Sequence, residues 1–146
     1  MAGGFGTRLK PLTLHRPKPM VPLANRPIME HIVALLRRHG ITDLVSILYF
    51  QPEQITEHFG DGSAGAVRNA WELLAGERVL VISGDVLTDF DLGAIVRSHE
   101  ERGAEATIAL TSVDNPLAFG IVIVDEETGR IERFLEKPTW GEGFSD

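Results

Sequence analysis

Cysteine is absent from this 146-residue chain. A disulfide framework and a thiolate metal site are thereby excluded, and a reducing compartment suits it. Long hydrophobic runs are missing too. Stretches such as Val79-Leu80-Val81-Ile82 fall far short of the roughly 20 apolar residues that span a bilayer. The opening Met1-Ala2-Gly3-Gly4 lacks the charged-then-apolar order of a secretory signal. A soluble, cytoplasmic protein is the expectation. Positive charge is also scarce: 14 Lys and Arg face 21 Asp and Glu, a formal net charge of -7. Broad binding to nucleic acid or to an anionic membrane needs a basic face, so neither is expected as a partner. A local phosphate site is not excluded, because a few cations can bind phosphate inside an acidic protein.

What is present describes a folded domain. Apolar residues make up 43% of the chain and charged residues 24%, close to the average for globular proteins. The length suits one domain with a real core. No internal repeat, low-complexity tract or interdomain linker stands out. Residues 2–25 are rich in Gly and Pro and read as a long structured loop. Pro27 suits a first helical turn, Ile28, Ile32, Val33, Leu35 and Leu36 recur at helical spacing, and Gly40 is a natural stop. Residues 44–50, 78–82 and 106–113 read as strands, and residues 52–59 and 66–74 as helices. Asp91 can cap a helix running to about Arg102, ended by Gly103. Residues 120–124 and 130–135 form an expected hairpin around Asp125-Glu126-Glu127-Thr128-Gly129. Strands alternating with helices predict an α/β fold, a doubly wound, mainly parallel Rossmann-like sheet with helices on both faces. Ligands of such sheets bind outside the carboxyl ends of the strands.

The strongest chemical signal is Gly3-Gly4-Phe5-Gly6-Thr7-Arg8-Leu9. Clustered glycines allow main-chain N–H groups to approach a phosphate closely. Arg8 adds a planar, permanently charged fork, and Lys18, between Pro17 and Pro19, adds a second cation whose backbone is stiffened in advance. The dinucleotide fingerprint is excluded, since its third Gly would fall on Leu9. So is the nucleoside-triphosphatase loop, because Gly-Lys-Ser/Thr does not occur. Composition alone also allows a flexible N-terminal turn with incidental basic residues. Asp85 follows the expected strand 78–82 through Ser83-Gly84, at the end where ligands bind. It clusters with Asp89 and Asp91, and a carboxylate is a hard ligand suited to Mg2+. An ordinary turn residue remains the alternative for Asp85, and a solvated pair for Glu136-Lys137. His15, His31, His39, His58 and His99 show no metal-ligand spacing. Surface or cap roles suit His31, His39 and His99. Trp71 and Trp140 read as packing residues, and Arg37-Arg38 as a solvated helix face.

The opening, continued by Lys10-Pro11-Leu12-Thr13 and by Arg16-Pro17-Lys18-Pro19-Met20, closely resembles the signature of the nucleotide-sugar pyrophosphorylases, the sugar-1-phosphate nucleotidyltransferases. The likeness runs on through Gly84-Asp85, Phe119-Gly120 and Glu136-Lys137-Pro138, nearly the whole chain. Within that family the chain looks most like the mannose-1-phosphate guanylyltransferases, on residues 25–31 and 87–92. The resemblance implies transfer of a nucleoside monophosphate from a triphosphate, GTP in that branch, to a sugar-1-phosphate, with Mg2+ as cofactor. It assigns nucleotide contacts to Ala2, Gly3, Gly4, Gly6, Thr7 and Arg8, and catalysis to Arg8, Lys18 and Asp85. Asp85 is the implied metal ligand, with Asp89 behind it, while Asp91 is read as a helix cap. Gly120, Glu136 and Lys137 are implied to hold the sugar and its phosphate. Glucose-1-phosphate with UTP or dTTP stays open, as does a regulatory subunit of the same fold that does not catalyse. Homo-oligomerisation and a fused phosphomannomutase-like domain also stay open. Compared with the family, a strand before Ala2, a segment between Ser63 and Ala64 and a region beyond Asp146 are expected but missing from residues 1–146.

Overall fold

The computed structural model describes residues 6–48, 50–59, 74, 76–113 and 120–136. The chain divides into two compact units, Met1–Glu105 and Ala106–Asp146. The Ser63–Ala64 junction, most of the expected helix 66–74, Trp71 and Trp140 lie outside the described residues.

In the first unit, two 3-10 turns, Thr7–Leu9 and Lys18–Met20, give the opening its order. A two-residue antiparallel ribbon follows, β1 (Pro22–Leu23) on β2 (Arg26–Pro27). Ala24 and Asn25 join its strands with φ of 48° and 63°. Two consecutive left-handed residues are the pattern of the tightest hairpin turns, where Asn is favoured and Ala is strained. Ala24→Asn is therefore expected to stabilise the protein by about 0.5–1 kcal/mol. A higher urea midpoint with an unchanged slope would bear this out.

Helix α1 (Ile28–Arg38) begins directly after β2. Pro27 stands one position earlier than the sequence suggests, as the residue before the first helical turn. At the other end the Gly40 N–H donates to the Arg37 carbonyl and the Ile41 N–H to the Leu36 carbonyl, both at 3.0 Å. This paired closure needs a left-handed residue after the cap, and Gly40 supplies it with φ of 77°. The apolar stripe of α1 buries Ile32, Leu35 and Leu36 together with Leu92. Ile41, Leu80, Ile82, Phe90 and Ile95 pack around that cluster. Helix α2 (Pro52–Phe59) is anchored by Ile55, which is 2% exposed. Helix α3 (Leu92–Arg102) begins at Asp91, whose carboxylate accepts from the Ala94 N–H at 2.9 Å, and ends at Gly103. That hydrogen bond holds the Asp91 carboxyl below its ordinary value, so the cap is present above about pH 4 and is lost as pH falls through the lowered value.

The second unit contains the expected hairpin, β3 (Gly120–Val124) antiparallel to β4 (Ile131–Glu136), with Ile121 opposite Leu135. Asp125 organises its turn by accepting from the Thr128 N–H at 2.7 Å.

Three expected strands are corrected. Residues 44–48, 50, 78–82 and 106–113 form no strand, with Leu48 alone in an isolated bridge, and the strands among the described residues make two antiparallel pairs. The mainly parallel sheet is therefore not present among them. Segment 78–82 nonetheless alternates as a strand would: Leu80 and Ile82 pack on the core while Val79 and Val81 are exposed. The apolar pattern recorded burial, which α1 and α3 provide. A ladder also needs a neighbour's N–H and C=O groups, and no pattern within the strand supplies those. Among the described residues no helix is long and apolar enough to cross a membrane.

Candidate functional site

The site grows from Gly6. Its φ of 57° and ψ of 30° place it in the left-handed region, where a side chain is disfavoured. The Gly6 carbonyl accepts twice, from the Leu9 N–H at 2.9 Å and from the Thr13 hydroxyl at 2.8 Å. Thr13 is 3% exposed, so this bond satisfies a hydroxyl that would otherwise be costly to bury. The opening chain is folded back on itself as a result. A Cβ on Gly6 would meet the Thr13 methyl at 2.9 Å and the Lys18 Cβ at 3.4 Å. Gly6 and the Lys18 segment thus lie close together, with no room for a side chain at Gly6.

Lys18 is held by a stiff frame. Pro17 and Pro19 are buried on either side of it, and their rings fix φ. The Met20 N–H donates to the Pro17 carbonyl at 2.9 Å and the Val21 N–H to the Lys18 carbonyl at 3.1 Å. From this frame the Lys18 ammonium reaches the Asp85 carboxylate, with Nζ 2.7 Å from Oδ2. The other Asp85 oxygen accepts from the Ser83 hydroxyl. Gly84, between them, is buried in the turn that presents the carboxylate.

Electrostatics follow from that geometry. Partial burial pushes the Asp85 carboxyl up, but hydrogen bonds from Lys18 and Ser83 and the Lys18 charge outweigh it, leaving it below the ordinary 3.8. Asp85 is therefore ionised at neutral pH, as a cation ligand must be. Its donors are hard oxygens, one carboxylate beside one hydroxyl. No group of three or more His, Cys, Asp or Glu residues that could hold a metal occurs among the described residues. A hard carboxylate oxygen is the kind of donor that suits Mg2+.

Of the site residues expected from sequence, the structure joins Gly6, Lys18 and Asp85. Thr7 and Arg8 lie exposed on the turn that Gly6 opens. Asp89 is exposed, and Asp91 caps α3 as expected. Gly120 opens β3 and Glu136 closes β4, paired with each other in the hairpin register of the second unit. Ala2, Gly3, Gly4, Lys137 and the side chain of Glu136 lie outside the described residues. Sequence reasoning missed Ser83 and the tie made by Thr13. Ser83 was findable from its place two residues before the aspartate in a Ser-Gly-Asp turn. Thr13 was not, because its partner depends on how the loop folds back. His31 donates from Nε2 to the Leu23 carbonyl, and His39 lies at the end of α1 beside Gly93, in keeping with surface and cap roles.

This arrangement has relatives. A mannose-1-phosphate guanylyltransferase of Arabidopsis thaliana is 36% identical over 159 residues, covering 94% of this chain and 44% of that protein. The beta-B mannose-1-phosphate guanyltransferase of Xenopus laevis is 36% identical over 158 residues, again with 94% of this chain and 44% of that protein covered. The chain thus spans less than half the length of these relatives. Among solved structures, one ascribed to a glucose-1-phosphate thymidylyltransferase of Bacillus anthracis, in complex with sucrose, is similar with a TM-score of 0.77 at 28% identity, over 94% of this chain and 62% of that one. The profile of the nucleotidyl transferase family matches residues 1–143. The matched span takes in the glycine turn, Lys18 and Asp85, and the protein belongs to the nucleotidyl transferase family.

Proposed function

We propose that this chain catalyses transfer of a nucleoside monophosphate from a triphosphate to a sugar-1-phosphate, releasing pyrophosphate, with GTP and mannose-1-phosphate as the pair. The observation that carries the reading is the junction of Gly6, Lys18 and Asp85, with Lys18 Nζ 2.7 Å from the carboxylate. The guanylyltransferase names of the relatives support the choice of pair. The likeness at TM-score 0.77 supports the finer fold reading, a doubly wound sheet.

In this reaction a phosphate oxygen of the sugar-1-phosphate forms a bond to the α-phosphorus. The bond from that phosphorus to the oxygen bridging it to the β-phosphate breaks, and pyrophosphate leaves with that oxygen. The attacking phosphate is already deprotonated near neutral pH, so no general base is needed. Both reactants are anions, and the main task is to bring them together and stabilise charge in transit. Arg8 and the N–H groups of the glycine turn would hold the β- and γ-phosphates and the leaving pyrophosphate. Lys18 would sit beside the reacting phosphates, and Lys137, with Gly120 and Glu136, would hold the acceptor. Asp85, helped by Ser83, would hold Mg2+, which when bound supplies charge neutralisation at phosphate oxygens.

The test is pyrophosphate release from a matrix of nucleoside triphosphates and sugar-1-phosphates with Mg2+. Turnover is expected to be greatest with GTP and mannose-1-phosphate. Preference for glucose-1-phosphate with dTTP would move the assignment toward the enzyme that the Bacillus neighbour is ascribed to. No turnover with any pair would overturn it in favour of a regulatory subunit.

A further inference from the structure

The segment that delivers Lys18 is tied down by a side chain remote from it in sequence. Gln54, on α2, donates from Nε2 to the carbonyl oxygen of His15 at 2.9 Å. Its second contact is to Gln51 Oε1, at 3.1 Å. An amide nitrogen has two N–H donors, and these two acceptors use both. The orientation of the amide follows: turned over, its oxygen would face two other oxygens. Gln51 has φ of 47°, a left-handed residue immediately before α2.

α2 is itself fixed. Ile55 buries beneath it, and His58 approaches Glu30 of α1 with Nε2 3.5 Å from Oε2. On the other side of the tie, the chain from His15 to Lys18 has little freedom to absorb a displacement. Pro17 fixes one φ, and the hydrogen-bonded turn from Pro17 to Val21 fixes the next. Movement at the His15 carbonyl is therefore passed on to the Lys18 side chain, whose ammonium must meet Asp85.

We infer that Gln54 is a positioning residue for the proposed reaction: by tying the His15 carbonyl to α2 it sets where Lys18 stands relative to Asp85. The inference rests on Lys18 acting on the reacting phosphates. Gln54 touches no reactant in this scheme. Its effect passes through Lys18, and that gives it a signature a merely structural contact lacks.

Three variants of the full-length protein test it. Gln54→Leu removes the donor. Gln54→Glu keeps the shape but sets an acceptor against the His15 carbonyl, and Gln54→Lys restores a donor. Leu and Glu are expected to lower kcat roughly 10-fold, within the range that a misplacement of about 1 Å can cost, with KM for the triphosphate changed less than about 2-fold. Lys is expected to recover most of the loss. In a Lys18→Ala background, Gln54→Leu should have no further effect on kcat, since nothing remains to be positioned. A loss that is as large with Lys18 removed as with it present overturns the inference, as does an unchanged kcat in the Leu variant.

The tie is also read without turnover, by amide hydrogen exchange of the peptide covering residues 12–21. Exchange there is expected to rise in Gln54→Leu and to stay near the unaltered level in Gln54→Lys, with α1 and α3 unchanged. Unaltered exchange in the Leu variant overturns the tie. A protein inactive toward every substrate pair would fail the proposed reaction and, with it, the positioning role, while exchange would still decide whether Gln54 holds the loop.

Discussion

Lys18→Ala is expected to lower kcat for pyrophosphate formation by roughly 10²–10³, the scale of one lost transition-state donor. The geometry predicts more than a lost charge. Lys18 and Asp85 are in contact at 2.7 Å and are only partly exposed, at 34% and 25% of their side chains. Among the described residues, removing the ammonium leaves a carboxylate with the Ser83 hydroxyl as its remaining side-chain partner. The Asp85 carboxyl should then rise, because burial pushes it up and the Lys18 contributions that outweighed burial are gone. In the unaltered protein the carboxyl is depressed below 3.8. The stabilisation it contributes is therefore present above about pH 4 and is lost as pH falls through its lowered folded value. Denaturation midpoints below pH 5 should accordingly depend less steeply on pH in Lys18→Ala. Lys18→Arg should not restore full turnover, since a planar fork does not reproduce a compact ammonium. Near-normal kcat in the Ala variant would remove Lys18 from the mechanism.

Gly6→Ala should injure both stability and turnover. With φ of 57° the backbone alone costs an alanine about 1 kcal/mol. The added Cβ also meets the Thr13 methyl at 2.9 Å, a distance real Cβ contacts do not show. Thr13 cannot simply swing away, because its hydroxyl is buried and bonded to the Gly6 carbonyl. Overpacking of this kind costs roughly 1–3 kcal/mol. Displacement of Thr13 or of Lys18, 3.4 Å from the new atom at its Cβ, should lower kcat as well. The double variant Gly6→Ala, Thr13→Ser deletes the offending methyl and keeps the hydroxyl. It should regain the steric part of the loss and retain the backbone part, as read by urea denaturation. Failure of the Ser substitution to help would show that the clash is not the cause.

How legible this was differs from element to element. The boundaries of α1 and α3 could be read because their causes are local: an apolar period of 3.6, Asp91 at one start, Gly40 and Gly103 at the stops. The hairpin of β3 and β4 was equally readable, since Asp125 and Gly129 carry its turn chemistry. The β1–β2 ribbon escaped notice because its Ala24-Asn25 turn uses an alanine where turn signals favour glycine or asparagine. The runs 44–50, 78–82 and 106–113 read as strands on apolar content, which is silent about ladder partners; in 78–82 that content marks packing on the core, whereas 106–113 is exposed throughout.

Composition, spacing and motif are properties of residue order. They were enough to exclude disulfides, to separate this glycine turn from the two better-known phosphate loops and to point to the family. What residue order could not supply is contact between distant positions. Lys18 and Asp85 lie far apart in the chain and meet only because the buried prolines and the Gly84 turn aim them at one another. The grip of Thr13 on Gly6 and of Gln54 on His15 has the same origin. A hydrogen bond requires two groups within about 3 Å in a set direction, and the path of the folded backbone alone brings such pairs together.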